Sequence, residues 1–429
     1  MRDRSAAAAP RVLYCADTYP PQVNGVSVVT ALSVEGLRAR GWECIVAAPR
    51  YPSVMPHGPR HQQAPGDQLV EIPSVAFPPY PDIRLAAPSY HRIADVVRRF
   101  KPDIIHSATE FTIGRLGQIA AKRAGIVRLS SYHTDFSRYT EAYGLPWLRG
   151  AVSRYIARFH QRSARVYTPS GPARSDLLAL GVKDVEVWGR GVDLNSFSPE
   201  RRSQALRAAY GVDDAVVFLH VGRLAAEKGV DKIVRAFQRA RELLPAGAAR
   251  LVIAGAGPEE VALRNLAGPD VLFLGVLDRQ KSLPRLYASA DAFLFSSLTE
   301  TLGLVVLEAM ASGLPVIAAP AGGVADHLRD GFNGIAYPPF DVDAMASAIV
   351  ALTLDIQRRK RLADGARETA LALDWQIELD RLDASYRSVL TRVAKNPQRF
   401  SESSDIFEQV AELSSRAQRS APSTARGGI

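Results

Sequence analysis

Two glutamates, Glu300 and Glu308, stand eight residues apart in the stretch SSLTETLGLVVLEAMASGLPVIAAPAGG, Ser296 to Gly323. Apolar runs flank the pair, Ala292 to Phe295 before it and Leu314 to Ala318 after it, and both read as buried strands. Between them the pattern predicts a helix that starts near Gly303 and ends at Gly313, just ahead of Pro315. A strand, a Ser/Thr/Gly loop and a helix start together present free backbone N–H groups at the positive end of a helix dipole, a geometry that binds phosphate. Acids beside such a pocket repel phosphate, so they suit the hydroxyls of a sugar, as the ribose-binding acid of nucleotide folds does. Two cations supply the opposite charge. Arg223 and Lys228 flank the turn that follows the apolar strand Ala215 to Val221, ahead of a helix to about Leu244. There a phosphate would meet both side chains and backbone amides, at roughly 1.5–3 kcal/mol per charge-assisted contact. Either pair taken alone also fits an ordinary solvated surface. A histidine completes the set: His133 lies in Tyr132-His133-Thr134-Asp135-Phe136, beyond the strand Val127 to Tyr132, where ligands bind in parallel α/β folds. His106, also at a strand end, reads as a packed residue.

Glu300-x7-Glu308, followed by Gly313 and Pro315, resembles the donor-site motif of retaining glycosyltransferases of family four, which have the GT-B fold. The resemblance implies that Glu308 holds the ribose hydroxyls of a nucleotide and Glu300 the donor hexose. It places the amides of Leu302, Gly303, Leu304 and Val305 against hexose and diphosphate. Arg223 and Lys228 would meet the diphosphate, and His133 the donor sugar near it. The turns at Gly255 and at Gly275-Val276-Leu277 would lie near the base. In Pro20-Pro-Gln-Val-Asn-Gly25-Val26, Gly25 would let the backbone approach the diphosphate. Gly191-Val-Asp193, Phe197 and Pro199 match the family's interdomain hinge. The implied fold class is α/β, GT-B: two Rossmann-like domains facing across a cleft, with a C-terminal helix crossing back to the first. The expected division is an acceptor-side domain over 11–195, a nucleotide-sugar-binding domain over 196–373, a crossover helix over 374–393 and a loose tail over 394–429.

The chain has 429 residues, 47% hydrophobic and 23% charged, enough for two or three globular domains. Cys15 and Cys44 each sit inside an apolar run, which indicates buried small hydrophobes rather than a disulfide or metal set. With no disulfide framework a reducing cytoplasm fits. No run reaches 18 uninterrupted apolar residues, so no transmembrane helix is expected, and the first residues lack a signal-peptide core. Gly255-Ala-Gly-Pro-Glu-Glu260 is an incomplete dinucleotide fingerprint. Asp341-Val-Asp343 imitates a metal motif but opens a helix, which capping explains better, so no obligatory metal is expected. Residues 50 to 90 are Pro-rich and read as irregular around one strand, Leu69 to Val75.

Net charge is +9, and the most unbalanced stretch is Arg138 to Arg165. Pro146 to Ala164 there reads as a helix with the apolar stripe Leu148, Val152, Tyr155, Ile156, Phe159 and an arginine ladder, Arg154, Arg158, Arg162. Two readings stand level, an ordinary amphipathic helix or a helix on an anionic membrane surface at the inner face of the cell membrane. No nucleic-acid motif accompanies the charge.

The expected activity is a metal-independent, retaining transfer of a hexose from a nucleoside diphosphate sugar to a lipid or glycan acceptor. The loops PPQVNGV, SYHTDF and WGRGVD are most similar to bacterial α-mannosyltransferases and lipid-directed sugar transferases, which implies GDP-mannose or UDP-glucose as donor. Two other readings stay open: a nucleotide-sugar epimerase of GT-B fold, and a non-catalytic membrane-surface binding protein.

Overall fold

The computed structural model describes residues 9–22, 24–52, 68–77, 80–133, 146–189 and 191–395. Two large parallel sheets take up the apolar runs that read as buried strands. The first half of the chain supplies β1 (Arg11–Cys15), β2 (Glu43–Pro49), β3 (Leu69–Ile72), β4 (Ser74–Phe77), β5 (Tyr80–Ala86), β6 (Ile104–Ser107), β7 (Val127–Ser131), β8 (Arg165–Thr168) and β9 (Val185–Val187). Seven of these form one sheet, in the order β3-β2-β1-β6-β7-β8-β9, and β4 and β5 pair apart from it. The second half supplies six: β10 (Val216–Val221), β11 (Ala249–Ala254), β12 (Val271–Gly275), β13 (Ala292–Phe295), β14 (Val316–Ala318) and β15 (Gly334–Ala336), in the order β12-β11-β10-β13-β14-β15. Every neighbouring pair in the two large sheets is parallel. Parallel sheets are covered on both faces, which is why strands such as β10 (VVFLHV) and β13 (AFLF) read as continuous apolar runs. The direction of winding reverses between β1 and β6 and again between β10 and β13. Each reversal opens a crevice beyond the strands' carboxyl ends.

The Pro-rich stretch corrects the sequence-based expectation of one strand over Leu69–Val75. Pro73 has no N–H to give a ladder, and it ends β3 at Ile72. The chain restarts as β4, which pairs antiparallel with β5 from Ser74↔Ala86. A helix, Tyr90–Phe100, follows directly. The helix expected over Pro146–Ala164 is shorter: a 3-10 turn, Pro146–Leu148, leads into Arg149–His160. Ile156 and Phe159 of its stripe are buried, whereas Tyr155 is 43% exposed and donates to the carbonyl of Glu110.

The last described helix, Trp375–Lys395, returns to the first sheet. Its Trp375, Leu379, Leu382, Tyr386 and Val389 are all buried in one cluster with Val12, Tyr14, Trp42 and Leu129. Polar atoms fix the seating: Tyr386 Oη lies 2.7 Å from Tyr14 Oη and bonds His106 Nδ1, while His106 Nε2 lies 2.7 Å from Ser131 Oγ. His106 is thus a packing residue of the crossover. The helix arrives beside the outgoing connection, for Val192 N–H donates to the Leu373 carbonyl at 2.9 Å and Trp375 N–H to the Val192 carbonyl at 3.4 Å. A Cβ on Gly191 would collide with Trp375, so only glycine lets the two crossings touch.

Burial holds His106 at about 3 and His220 at about 4, both well below the ordinary imidazole value. Each is neutral when folded and protonated when unfolded once the pH falls below about 6.5, so the unfolded state takes up more protons and stability drops as the solution is acidified. Linkage gives roughly 2 kcal/mol lost per buried histidine by pH 5. We expect His220→Asn to flatten the fall in ΔG between pH 7.5 and 5 by about that amount. Denaturant titrations at the two pH values measure it, and an unchanged difference would refute the assignment.

Candidate active site

The second crevice gathers most of the residues singled out by the sequence. Beyond β10, Gly222, Arg223 and Leu224 lead to the 3-10 turn Ala226–Lys228, which Gly229 ends in the left-handed region at φ 61°. Beyond β13, Ser296 Oγ lies 2.7 Å from the Lys228 carbonyl and 2.9 Å from that of Gly229, and Ser297 Oγ donates to the Glu227 carbonyl at 3.3 Å. The two serines lock the cation-bearing turn onto the neighbouring strand's loop. That lock sets Lys228 in an ion pair with Glu300, with side chains 17% and 22% exposed. Arg223, 37% exposed, pairs with the fully buried carboxylate of Glu227.

The loop after Glu300 passes through Leu302, which is buried, and Gly303, at φ 75°, into the helix Leu304–Ala311. Among the described residues no side chain caps this helix, so the amides of its first turn meet no internal carboxylate or hydroxyl cap. The loop is braced from behind: Gly323 N–H donates to the Glu300 carbonyl at 2.7 Å, and a Cβ on Gly322 or Gly323 would collide with the loop's backbone. Gly255 packs in the same way, at φ 140°, against the carbonyl of Gly222, and its N–H reaches the Gly275 carbonyl at 2.8 Å. Leu277, two residues beyond β12, is half-buried.

His133 lies across the crevice at the end of β7, and its carbonyl accepts from Thr301 Oγ1, the residue after Glu300. Gly171 N–H adds a second contact between the halves, donating to Asp326 at 2.9 Å. Burial, with His160 as a second cause, pushes the His133 imidazole down to about 4, so it is neutral at physiological pH. Behind it His160 and Glu110, both buried, sit 3.2 Å apart, and His160 also bonds Ser130 at 2.9 Å. Thr134, Asp135 and Phe136 of the expected motif, with residues 138–145 of the basic stretch, lie outside the described residues.

Three placements differ in kind from the central group. Gly25 opens the helix Gly25–Ala39 behind the capping residue Asn24, and a Cβ there would meet nothing within 4 Å. Glu308 is fully buried and its carboxylate pairs with Arg279, whose guanidinium lies 5.4 Å from the Phe197 ring centroid. The sequence reading missed Arg279. Only its seat in the turn after Leu277 hinted at it. Asp341 accepts from Ala344 N–H at 2.8 Å as a helix cap, and Asp343 pairs with Arg239 at 3.1 Å.

Residues 23–196 match the family model Glycosyltransferase Family 4, and residues 215–355 match Glycosyl transferases group 1. The chain is 34% identical to the GDP-mannose-dependent alpha-mannosyltransferase of Mycobacterium tuberculosis, over 89% of this chain and 97% of that one. It is 31% identical to the alpha-monoglucosyldiacylglycerol synthase of Streptococcus pneumoniae, over 70% of this chain and 69% of that one. Among solved structures, Anabaena HepE in complex with UDP and glucose superposes with a TM-score of 0.69 at 20% identity, covering 88% of this chain and 99% of that one, a likeness of fold. With the twin parallel sheets, the crossing helix and these relatives in hand, the chain belongs to the family-four glycosyltransferases and has the GT-B fold.

Proposed function

We propose that this glycosyltransferase moves mannose from GDP-mannose, with retention of configuration, onto a lipid or glycan acceptor. The observation that carries the site assignment is the meeting of Lys228 and Glu300 beside an uncapped helix start, with His133 across the crevice. In this reading the diphosphate lies between Arg223, Lys228 and the amides of Leu304 and Val305. Glu300 takes hexose hydroxyls, Glu308 takes ribose hydroxyls, and the neutral His133 faces the sugar. The turns at Gly255 and Leu277 border the base. As the bond from the anomeric carbon to the diphosphate oxygen breaks, negative charge grows on the leaving group, where the two cations and the helix amides stabilise it. The acceptor hydroxyl attacks from the same face and its proton passes to the departing diphosphate. No metal is needed for this charge balance. The relatives' names support the donor and the acceptor class.

The acceptor side supports a membrane-borne substrate. Trp147 is 76% exposed and Phe111 50%, and Arg154 and Arg158 of the helix Arg149–His160 are exposed as well. Among the described residues no helix is long and apolar enough to cross a membrane, so contact would be peripheral, on the inner face of the cell membrane. Thermal-shift titration against GDP-mannose and UDP-glucose tests the donor: a ligand at 100 times its Kd adds about 2.7 kcal/mol. Stabilisation by UDP-glucose and not by GDP-mannose would overturn the choice. Sugar nucleotide incubated alone separates transfer from epimerisation.

A further inference from the structure

Glu308 has no exposed surface, and a carboxylate withdrawn so far from water stays ionised only with a well-placed partner. Arg279 is that partner. Its guanidinium pairs with the Glu308 carboxylate and lies over the ring of Phe197, the aromatic of the segment that joins the two sheets. Phe197 in turn meets Tyr287 edge-on, with centroids 5.5 Å apart, and Tyr287 packs at 5.7 Å on Phe293 of β13. The guanidinium is therefore held by a charge on one side and a stacked ring on another, in a frame of fully buried aromatics.

We infer that Arg279 is a positioning residue for the nucleotide: it keeps Glu308 charged and aimed, and it ties the ribose grip to the interdomain connection through Phe197. The inference rests on the reading of Glu308 as the ribose acid. An ionised carboxylate accepts hydroxyl hydrogen bonds about twice as strong as those of a neutral group, so losing its charge weakens ribose recognition without touching the diphosphate contacts. The groups that face Glu308 are Arg279 and Tyr287, with Asp193 further off. Burial raises the Glu308 carboxyl above the usual range, Arg279 and the Tyr287 hydroxyl pull it back, and Asp193 adds to the rise. Without Arg279 the carboxyl therefore takes up a proton at higher pH, and its charge returns only as the pH is raised.

The test measures binding of GDP and of 2′,3′-dideoxy-GDP by calorimetry from pH 6 to 9. The wild type should prefer GDP about 10–100-fold across the range. Arg279→Gln should reduce the preference to within about threefold at pH 7 and recover it as the pH rises. Arg279→Lys, which keeps the charge, should retain most of it. If Arg279→Gln does not fold, Arg279→Met combined with Glu308→Gln removes both charges at once, and should show no preference at any pH. A full preference in Arg279→Gln at every pH, or in the double variant, overturns the proposal. A wild type that binds both nucleotides equally overturns the ribose reading of Glu308 itself, an outcome visible before any variant is made.

Discussion

Lys228→Ala should lower kcat by about 10²–10³ while the chain keeps its fold. In the proposed donor pose the lysine stands where charge develops on the leaving diphosphate, and a donor aimed at that charge contributes most when the bond is breaking. Its side chain is already held, by the ion pair to Glu300 and by the serine lock on the turn's backbone, so little ordering is left to be done during the reaction. The substitution also leaves Glu300 without its partner, but Glu300 keeps enough exposure to be solvated, and the cost to stability should stay near 1 kcal/mol. Single-turnover kinetics beside a thermal melt separate the two effects. A kcat within threefold of the parent would remove Lys228 from the mechanism.

Ending the chain at Asp374 should unfold the seven-stranded half. The deleted helix takes with it five buried apolar side chains, from Trp375 to Val389, each worth about 1.5–3 kcal/mol of burial, or roughly 7–15 kcal/mol together. That is comparable to the whole stability of an ordinary domain, about 5–15 kcal/mol. The same cut strips Tyr14 and His106 of their buried partner. Leu382→Ala is the graded version, with an expected loss of about 2–5 kcal/mol. Hydrogen exchange reads the outcome by region: β1, β6 and β7 should lose protection while β10 and β13 keep theirs. Equal protection in both sheets would refute the dependence.

Much of this arrangement was legible from local chemistry. The apolar run Ala292 to Phe295 is a strand at those residues, and Gly303 marks the helix start because its left-handed φ admits no side chain cheaply. The cation turn was legible too, since a glycine must follow Lys228 for the chain to enter the next helix. Contacts set by tertiary packing were not. Thr301 and His133 are 168 residues apart, and nothing in either segment announces the other. Arg279 sits in a polar turn, where an arginine ordinarily faces water, and only the fold brings it under Glu308. The hairpin β4–β5 was hidden by its prolines, which signal breaks and say nothing of pairing across them.

The side-by-side crossings at Val192 and Leu373 carry an implication for how the protein is made. The six-stranded half is a single uninterrupted length of chain, whereas the seven-stranded half needs residues from both ends. On a ribosome adding about 5–20 residues per second, the segments carrying Tyr14 and Trp42 must wait roughly 20–70 s for the helix that covers them. The part begun second is therefore the part finished first, and the nascent early strands are where a chaperone would be needed.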